Sequence, residues 1–476
     1  MPGQAVLVRL LPAALLALSL AACGSSPSRQ AAPATRASLP TVVAAPTMPV
    51  QAPQGLRLGA DWPTYHGDTS RSGYRAGGPD PEHPVVAWQA RLDGKVYASP
   101  LVVGGTVIAA TEGGSLYALD GATGRVRWRQ HLADPVSADR LPCGNIDPLG
   151  VTGTPVYDPT TKQLFAVATT TGPRHVLFVV DARSGAVRSQ RDVDAPGSEP
   201  ATQLQRGALL LSRGSVYIPY GGNYGDCGRY LGRVVAAPVA GGGLRTFAVP
   251  TRREAGIWAA SGPAATASGD VLVTTGNGAA FGGSWDRSDS VLRLSSDLQL
   301  KDGFAPAGWA QENSVDADLG STGPLVLPGG SMAVAAGKGG SAYLVDLAHL
   351  GGVGGQLDTQ RNCASYGAGA AVPVQGAGSA VFLPCTDGLL QLRVQGRRLV
   401  RGWQAPGEVT GSPVVVGTTV WSVQQDGALY GLDAATGHRR ALLQVGDATR
   451  FATPAASGSG LFVPTVKGIT AVRLVS

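Results

Sequence analysis

Charge is scarce in this chain: Asp, Glu, Lys and Arg together make up 15% of its 476 residues, and aromatics 6%. With 43% hydrophobic content, that scarcity excludes a generally disordered polypeptide. The net charge of +6 is small, and its basic residues are dispersed. Nucleic-acid binding needs clustered Lys and Arg with stacking aromatics, so no such partner is expected. Six histidines stand singly, without His-x-His or His-x-x-x-His, which argues against a zinc site. No Gly-x-Ser-x-Gly elbow lies between a strand and a helix, and the glycine-rich residues 276–283 do not lead into a helix. Neither serine hydrolysis nor a phosphate-cradling loop therefore has a motif here. Cysteine is limited to five residues, no two of them adjacent.

Glycine is abundant instead, at 68 residues, with 34 prolines. Both punctuate short alternating apolar runs. Residues 96–132 set the pattern: Gly104-Gly105 separates a first run from a second, Gly113-Gly114 a second from a third, and residues 120–124 turn into a fourth carrying Trp128. One such four-stranded sheet cannot bury both faces alone, so its copies must pack face to face around an axis, which also protects their edges. A small residue and proline recur at the expected start of the inner strand: Ser99-Pro100, Thr154-Pro155, Gly262-Pro263, Gly323-Pro324, Ser412-Pro413 and Thr453-Pro454. Gly207-Ala208 and Ala370-Ala371 fill the two gaps. The fold class predicted is all-β, an eight-bladed β-propeller of four-stranded antiparallel blades over residues 61–476.

The last unit, from residue 451, has room for three strands only. Residues 85–92, VVAWQARL, carry a tryptophan as the fourth strand of blade one does, and are expected to supply the missing outer strand and close the ring. The preceding stretch DWPTYHGDTSRSGY, residues 61–74, is expected to lie against this closing blade.

The N-terminus carries an address. Arg9 precedes an apolar run at residues 10–20, too short to cross a membrane, followed by Leu20-Ala21-Ala22-Cys23-Gly24, similar to a bacterial lipobox. Residues 1–22 then form a lipoprotein signal peptide, Cys23 the lipidated residue, and residues 23–60 a flexible tether rich in Ala, Pro, Ser and Thr. The expected location is extracytoplasmic, anchored to the membrane by the lipid.

In a propeller, interblade connections and the turn between second and third strands open on one face. Here that face carries the long segments 133–150, 250–256, 302–321 and 356–366 with the internal loops 221–230 and 276–286, whereas turns such as Gly104-Gly105 on the opposite face are minimal. The elaborated face is therefore the expected ligand or partner face. The same topology pairs Cys143 with Cys227 and Cys363 with Cys385, because other pairings would span the ring and bonded Cα atoms must approach within about 7 Å. Basic residues such as Arg127, Arg129, Arg188 and Arg440 fall on outer strands and read as a solvated rim.

Residues 61–74 together with GSLYALDGATGRVRW (114–128) and GALYGLDAATG (427–437) resemble the propeller repeat of pyrroloquinoline-quinone (PQQ) type. That repeat is found in quinoprotein alcohol dehydrogenases and in the propeller lipoprotein of the outer-membrane barrel assembly machine. The resemblance implies either a binding or scaffold protein of the cell envelope, acting on an envelope protein or small ligand through its long-loop face, or a PQQ-dependent dehydrogenase oxidising an alcohol or sugar in the central funnel. The second requires an aromatic platform, oxygen ligands for a metal such as calcium, and an aspartate base. Candidates are Glu254 and Trp258 before blade four, Asn277 after its second strand, Asp316 and Asp318 before blade five, and Lys338 after that blade's second strand. The dehydrogenases also set two adjacent cysteines over the cofactor, and this sequence has no Cys-Cys pair. The first reading is preferred, with no cofactor expected and no catalytic residue assigned.

Overall fold

The computed structural model describes residues 56–78, 81, 83–376 and 378–475. Eight antiparallel sheets follow one another along the chain, each with four main strands. Blade one, Leu101–Val103, Thr106–Ala110, Ser115–Asp120 and Val126–His131, shows why the pattern folds this way. Its three inner strands are almost wholly buried while the outer strand alternates between exposed and half-buried positions. Sheets covered on both faces by neighbours need apolar side chains on both faces, and only the outermost strand returns to inside–outside alternation. Apolar layers accordingly lie between successive blades, for example Leu101, Leu116, Tyr157 and Phe178 between blades one and two.

The ring closes as expected. Val85–Arg91 pairs antiparallel with Gly468–Arg473, so blade eight joins the first propeller strand to the last. Tryptophans on outer strands lock adjacent blades. The indole N–H groups of Trp88, Trp128 and Trp403 donate to the carbonyls of Gly121, Ala182 and Ala434 in the next blade. Each ring lies on a glycine with positive φ: a Cβ at Gly124, Gly185 or Gly437 would stand 2.6, 2.7 or 2.6 Å from it. The aspartate opening each of these turns, Asp120, Asp181 or Asp433, caps two backbone N–H groups and accepts from an outer-strand arginine. The rim arginines are thus largely paired, Arg129 with Asp93 at 2.7 Å among them.

Residues 61–75 depart from expectation. They cross the axis on the short-turn side instead of lying along blade eight alone. Trp62 exchanges hydrogen bonds with Val102 of blade one, and the carbonyls of Pro63, Thr69, Ser72 and Gly73 accept from Tyr157, Ala265, Ala371 and Val415 of blades two, four, six and seven. Tyr65 Oη meets Thr453 Oγ1 of blade eight at 2.9 Å. Arg71 is fully buried, donating to the carbonyls of Tyr65, Leu209 and Pro263 and to Thr64 Oγ1. The physical reason is that inner-strand edges converge on the axis with unpaired backbone groups, and an extended polar strap satisfies them. Tyr65, Ala208 and Ala368 pack together beneath it.

Three boundaries also shift. Residues 56–60, assigned to the tether, pack on blade eight: Leu56 is buried, and Arg57 and Gly59 bond to Ser459 and Ser457. The first residues of the 302–321 segment complete the outer strand Leu300–Ala305. The 356–366 segment holds the outer strand of blade five, Asp358–Arg361, and among the described residues the long connection leading into it, 347–357, lies on the short-turn face, its Gly352–Val353 adding in parallel to Leu300–Ala305. The signal peptide, Cys23 and the tether to residue 55 lie outside the described residues. Among the described residues no helix is long and apolar enough to cross a membrane.

Candidate functional site

Above the strap, the long-loop face opens into a cavity of about 530 Å³. Its wall is assembled from interblade segments and second-to-third-strand loops, the parts that sequence spacing assigned to the elaborated face. Both expected disulfides are present: Cys143–Cys227 ties the segment entering blade two to the blade-three loop, and Cys363–Cys385 staples blade six. Further bonds stiffen the rim. Asn313, on the short helix Trp309–Ser314, accepts from Gly278 N and donates to the Ala280 carbonyl and Ser288 Oγ, while Asp286 accepts from Thr251 and Ser288 hydroxyls.

Five of the six candidate residues line the cavity: Trp258, Asn277, Asp316, Asp318 and Lys338. Lys338 Nζ sits 2.7 Å from Asp316 Oδ1 and 2.6 Å from Asp318 Oδ2, and 5.9 Å from the centre of the Trp258 ring. The backbone N–H of Asn277 donates to Asp318 Oδ1 at 2.9 Å. Burial pushes the Asp318 carboxyl up, against the pull of Lys338. Burial also opposes the Lys338 charge, but Asp318 and Asp316 outweigh it and hold the ammonium above its ordinary range. Behind them Asp289, pushed up to about 8 by burial and by the charge of Asp318, accepts from Leu319 N.

Glu254 falls outside the cavity lining. Its backbone bridges Leu231 and Gly278, and its carboxylate lies 3.5 Å from Arg253 Nε, so it buttresses the blade-three and blade-four loops. Tyr97, Arg206, Tyr366, Arg450 and Phe451, none singled out from sequence, complete the opposite wall. A signal for them exists: each precedes an inner-strand start by a few residues, as Tyr97 precedes Ser99-Pro100 and Phe451 precedes Thr453-Pro454. In a closed ring that position faces the axis on the long-loop side. Arg206 lies over the rings of Tyr97 and Phe451 at 5.5 and 5.8 Å, and Arg450 over Tyr366 and Phe451 at 5.1 and 4.8 Å. Glu112, buried nearby, accepts from Gly150 N and Thr152 Oγ1, and burial pushes its carboxyl up to about 7.

A family model described as outer membrane protein assembly factor BamB matches residues 80–289. No curated protein matches the chain. Solved structures of similar fold include a europium-containing methanol dehydrogenase, with TM-score 0.68 and 13% identity over 87% of this chain and 98% of that one. Quinohemoprotein alcohol dehydrogenase ADHIIG from Pseudomonas putida HK5 aligns with TM-score 0.65 and 14% identity over 87% and 80%. BamB from Moraxella catarrhalis aligns with TM-score 0.57 and 16% identity over 83% and 100%. At such identities the likeness is one of fold, which hosts enzymes and scaffolds alike. Eight closed blades with repeated tryptophan docking, together with the match over residues 80–289, support a propeller of the PQQ type, the fold that these structures share with this chain.

Proposed function

We propose that this propeller is an extracytoplasmic, lipid-anchored binding protein that works through the funnel and rim of its long-loop face. The observation that carries the reading is the combination of a stiffened rim with exposed apolar side chains around an open cavity. Tyr224, Phe281 and Val315, on the loops of blades three and four and the segment entering blade five, are 65, 60 and 61% exposed. Large apolar groups held out on disulfide- and hydrogen-bonded loops favour a partner more than they favour the free protein. Two disulfides support an oxidising compartment. In intact cells, crosslinking from this face should capture a defined envelope partner, and Y224S/F281S/V315S should abolish capture while leaving the melting temperature unchanged. Equal capture by this variant would overturn the rim assignment. Cys23→Ser should release the protein from the membrane fraction; retention would remove the anchor.

The dehydrogenase reading has one observation in its favour, the gathering of Trp258, Asn277 and Asp318 on one cavity. The residues nevertheless fit a bound metal poorly. The point where Asp316 and Asp318 converge is held by the Lys338 ammonium, and Glu254 lies off the wall. Among the described residues the one cluster of three His, Cys, Asp or Glu ligands is Cys363, Cys385 and Asp387, whose sulfurs form a disulfide. The ring of Phe451 lies 6.3 Å from that of Trp258 and is tilted 48° to it, so the two do not frame a parallel-sided slot for a flat quinone. Dye-linked oxidation of alcohols or sugars with added PQQ and calcium should stay at background. Turnover that depends on both would reverse the preference.

A further inference from the structure

We propose that the funnel takes a small sugar acid or sugar phosphate, its anionic group held by Arg206 and Arg450 beside Phe451 and its ring hydroxyls facing Asp316, Asp318 and Lys338. This deepens the reading of the funnel as a binding site and rests on it. Arg206 is the central observation. It is 6% exposed and lines the cavity, yet among the described residues its five N–H donors make a single hydrogen bond, from Nη2 to the Arg450 carbonyl at 3.3 Å. Neither Arg206 nor Arg450 has a carboxylate partner among the described residues. The carboxyl that attracts Arg206, Glu112, makes no ion pair with it: its Oε2 accepts from Gly150 N and Thr152 Oγ1, and its Oε1 has no hydrogen-bond partner among the described residues.

A buried guanidinium without a directly bonded carboxylate is costly, and its unused donors on the cavity point to an anion that arrives from outside. Its planar fork suits a carboxylate or a phosphate equally. Two cations sharing the Phe451 ring repel each other, which an anion between them relieves. Across the cavity the charges are reversed in kind: two carboxylates on one ammonium leave acceptors for hydroxyl groups. The walls themselves carry Tyr97, Trp258, Tyr366 and Phe451, aromatic rings of the kind on which a sugar ring packs. The volume of about 530 Å³ is of the size that holds a small ligand.

The test uses the intact protein with glucuronate, glucose 6-phosphate and glucose as probes. Calorimetry should show saturable binding of at least one acid, ten-fold or more tighter than glucose, and the arm that binds identifies carboxylate or phosphate as the anion. Arg206→Gln should weaken that binding at least ten-fold. Arg450→Gln, at an exposed position and harmless to folding, should weaken it several-fold. In ¹H–¹⁵N spectra the Nε–H resonance of Arg206 should move on titration with the acid and stay still with glucose. Failure of both acids to bind, or unchanged affinity in both variants, would overturn the assignment. Glucose binding as tightly as the acids would remove the anion yet keep the funnel as a site. Capture through Tyr224, Phe281 and Val315 does not involve Arg206, so the two proposals can fail separately.

Discussion

Lys338 offers the sharpest test of how the funnel wall is held. Substituting methionine keeps much of the side-chain volume and removes the ammonium, leaving Asp318, buried with its other oxygen bonded to Asn277 N, without a counter-charge. At the observed 2.6 Å, Coulomb attraction in an effective dielectric of 20 is about 6 kcal/mol before desolvation. Breaking buried pairs of this kind costs roughly 3–5 kcal/mol. The sign with pH follows from the carboxyl left behind. Its folded pKa rises further above the unfolded value, so the variant is least stable where the unfolded state has lost that proton and the folded state resists losing it. The deficit should therefore be largest at pH 8 and shrink steadily towards pH 4. In a propeller of this size such a loss corresponds to a melting temperature lower by roughly 5 °C. Adding Asp318→Asn, which keeps an acceptor for Asn277 N and removes the charge, should recover most of it. Scanning calorimetry of the wild type, K338M and K338M/D318N at pH 5 and pH 8 reads all of this. A K338M deficit equal at both pH values, or a double variant no better than the single, would refute the electrostatic account.

What the sequence made legible was whatever repeats. Blade number followed from the small-residue–proline starts, closure from the tryptophan shared by residues 85–92 and blade one, and the cystine pairs from the face on which each cysteine falls. Such features obey local rules of period and turn chemistry. The strap obeys none. Arg71 is satisfied by carbonyls from residues 65, 209 and 263, and a contact spread over nearly 200 positions leaves no trace in a polar run such as HGDTSRSGY. The funnel was half legible for the same reason. Asn277, Asp316 and Asp318 lie in long loops, Trp258 just beyond one and Lys338 in the short turn between Ala336 and Ser341, and sequence spacing groups them at one face, although Glu254 of the same group braces loops. Arg206 gains its meaning only through Tyr97 and Phe451, which closure of the ring brings to it from opposite ends of the domain.

Three further perturbations probe the blades, the strap and the buried acid. Gly185→Ala should cost about 2–3 kcal/mol, because its Cβ meets the Trp128 ring and its φ is +75°; Gly172→Ala, at φ +82° with open space, should cost about 1. Equal losses in thermal melts would show that tryptophan docking adds nothing. Arg71→Met leaves four buried acceptors without their donor and should lower stability by roughly 3–5 kcal/mol while making residues 66–72 cleavable by protease; a variant as resistant as the wild type would refute the strap's role. Glu112→Gln should do the opposite at alkaline pH. The carboxyl titrates at about 7 in the folded chain against an ordinary 4.5, raised by burial, with Gly150, Thr152, Arg206 and Lys95 pulling it back. A raised carboxyl pKa means stability is fullest below about 4.5 and is lost as pH rises through 7, amounting to about 3 kcal/mol. Glutamine keeps an acceptor for Gly150 N and Thr152 Oγ1 and does not ionise, but puts an amide N–H₂ where Glu112 Oε1 has no partner, at a cost of about 1–3 kcal/mol. The wild-type and E112Q stability curves should therefore cross near pH 6–7, with the variant weaker at pH 5 and equal or stronger at pH 8. Parallel curves over that range would mean that Glu112 stays ionised in the fold, satisfied by the cations around it.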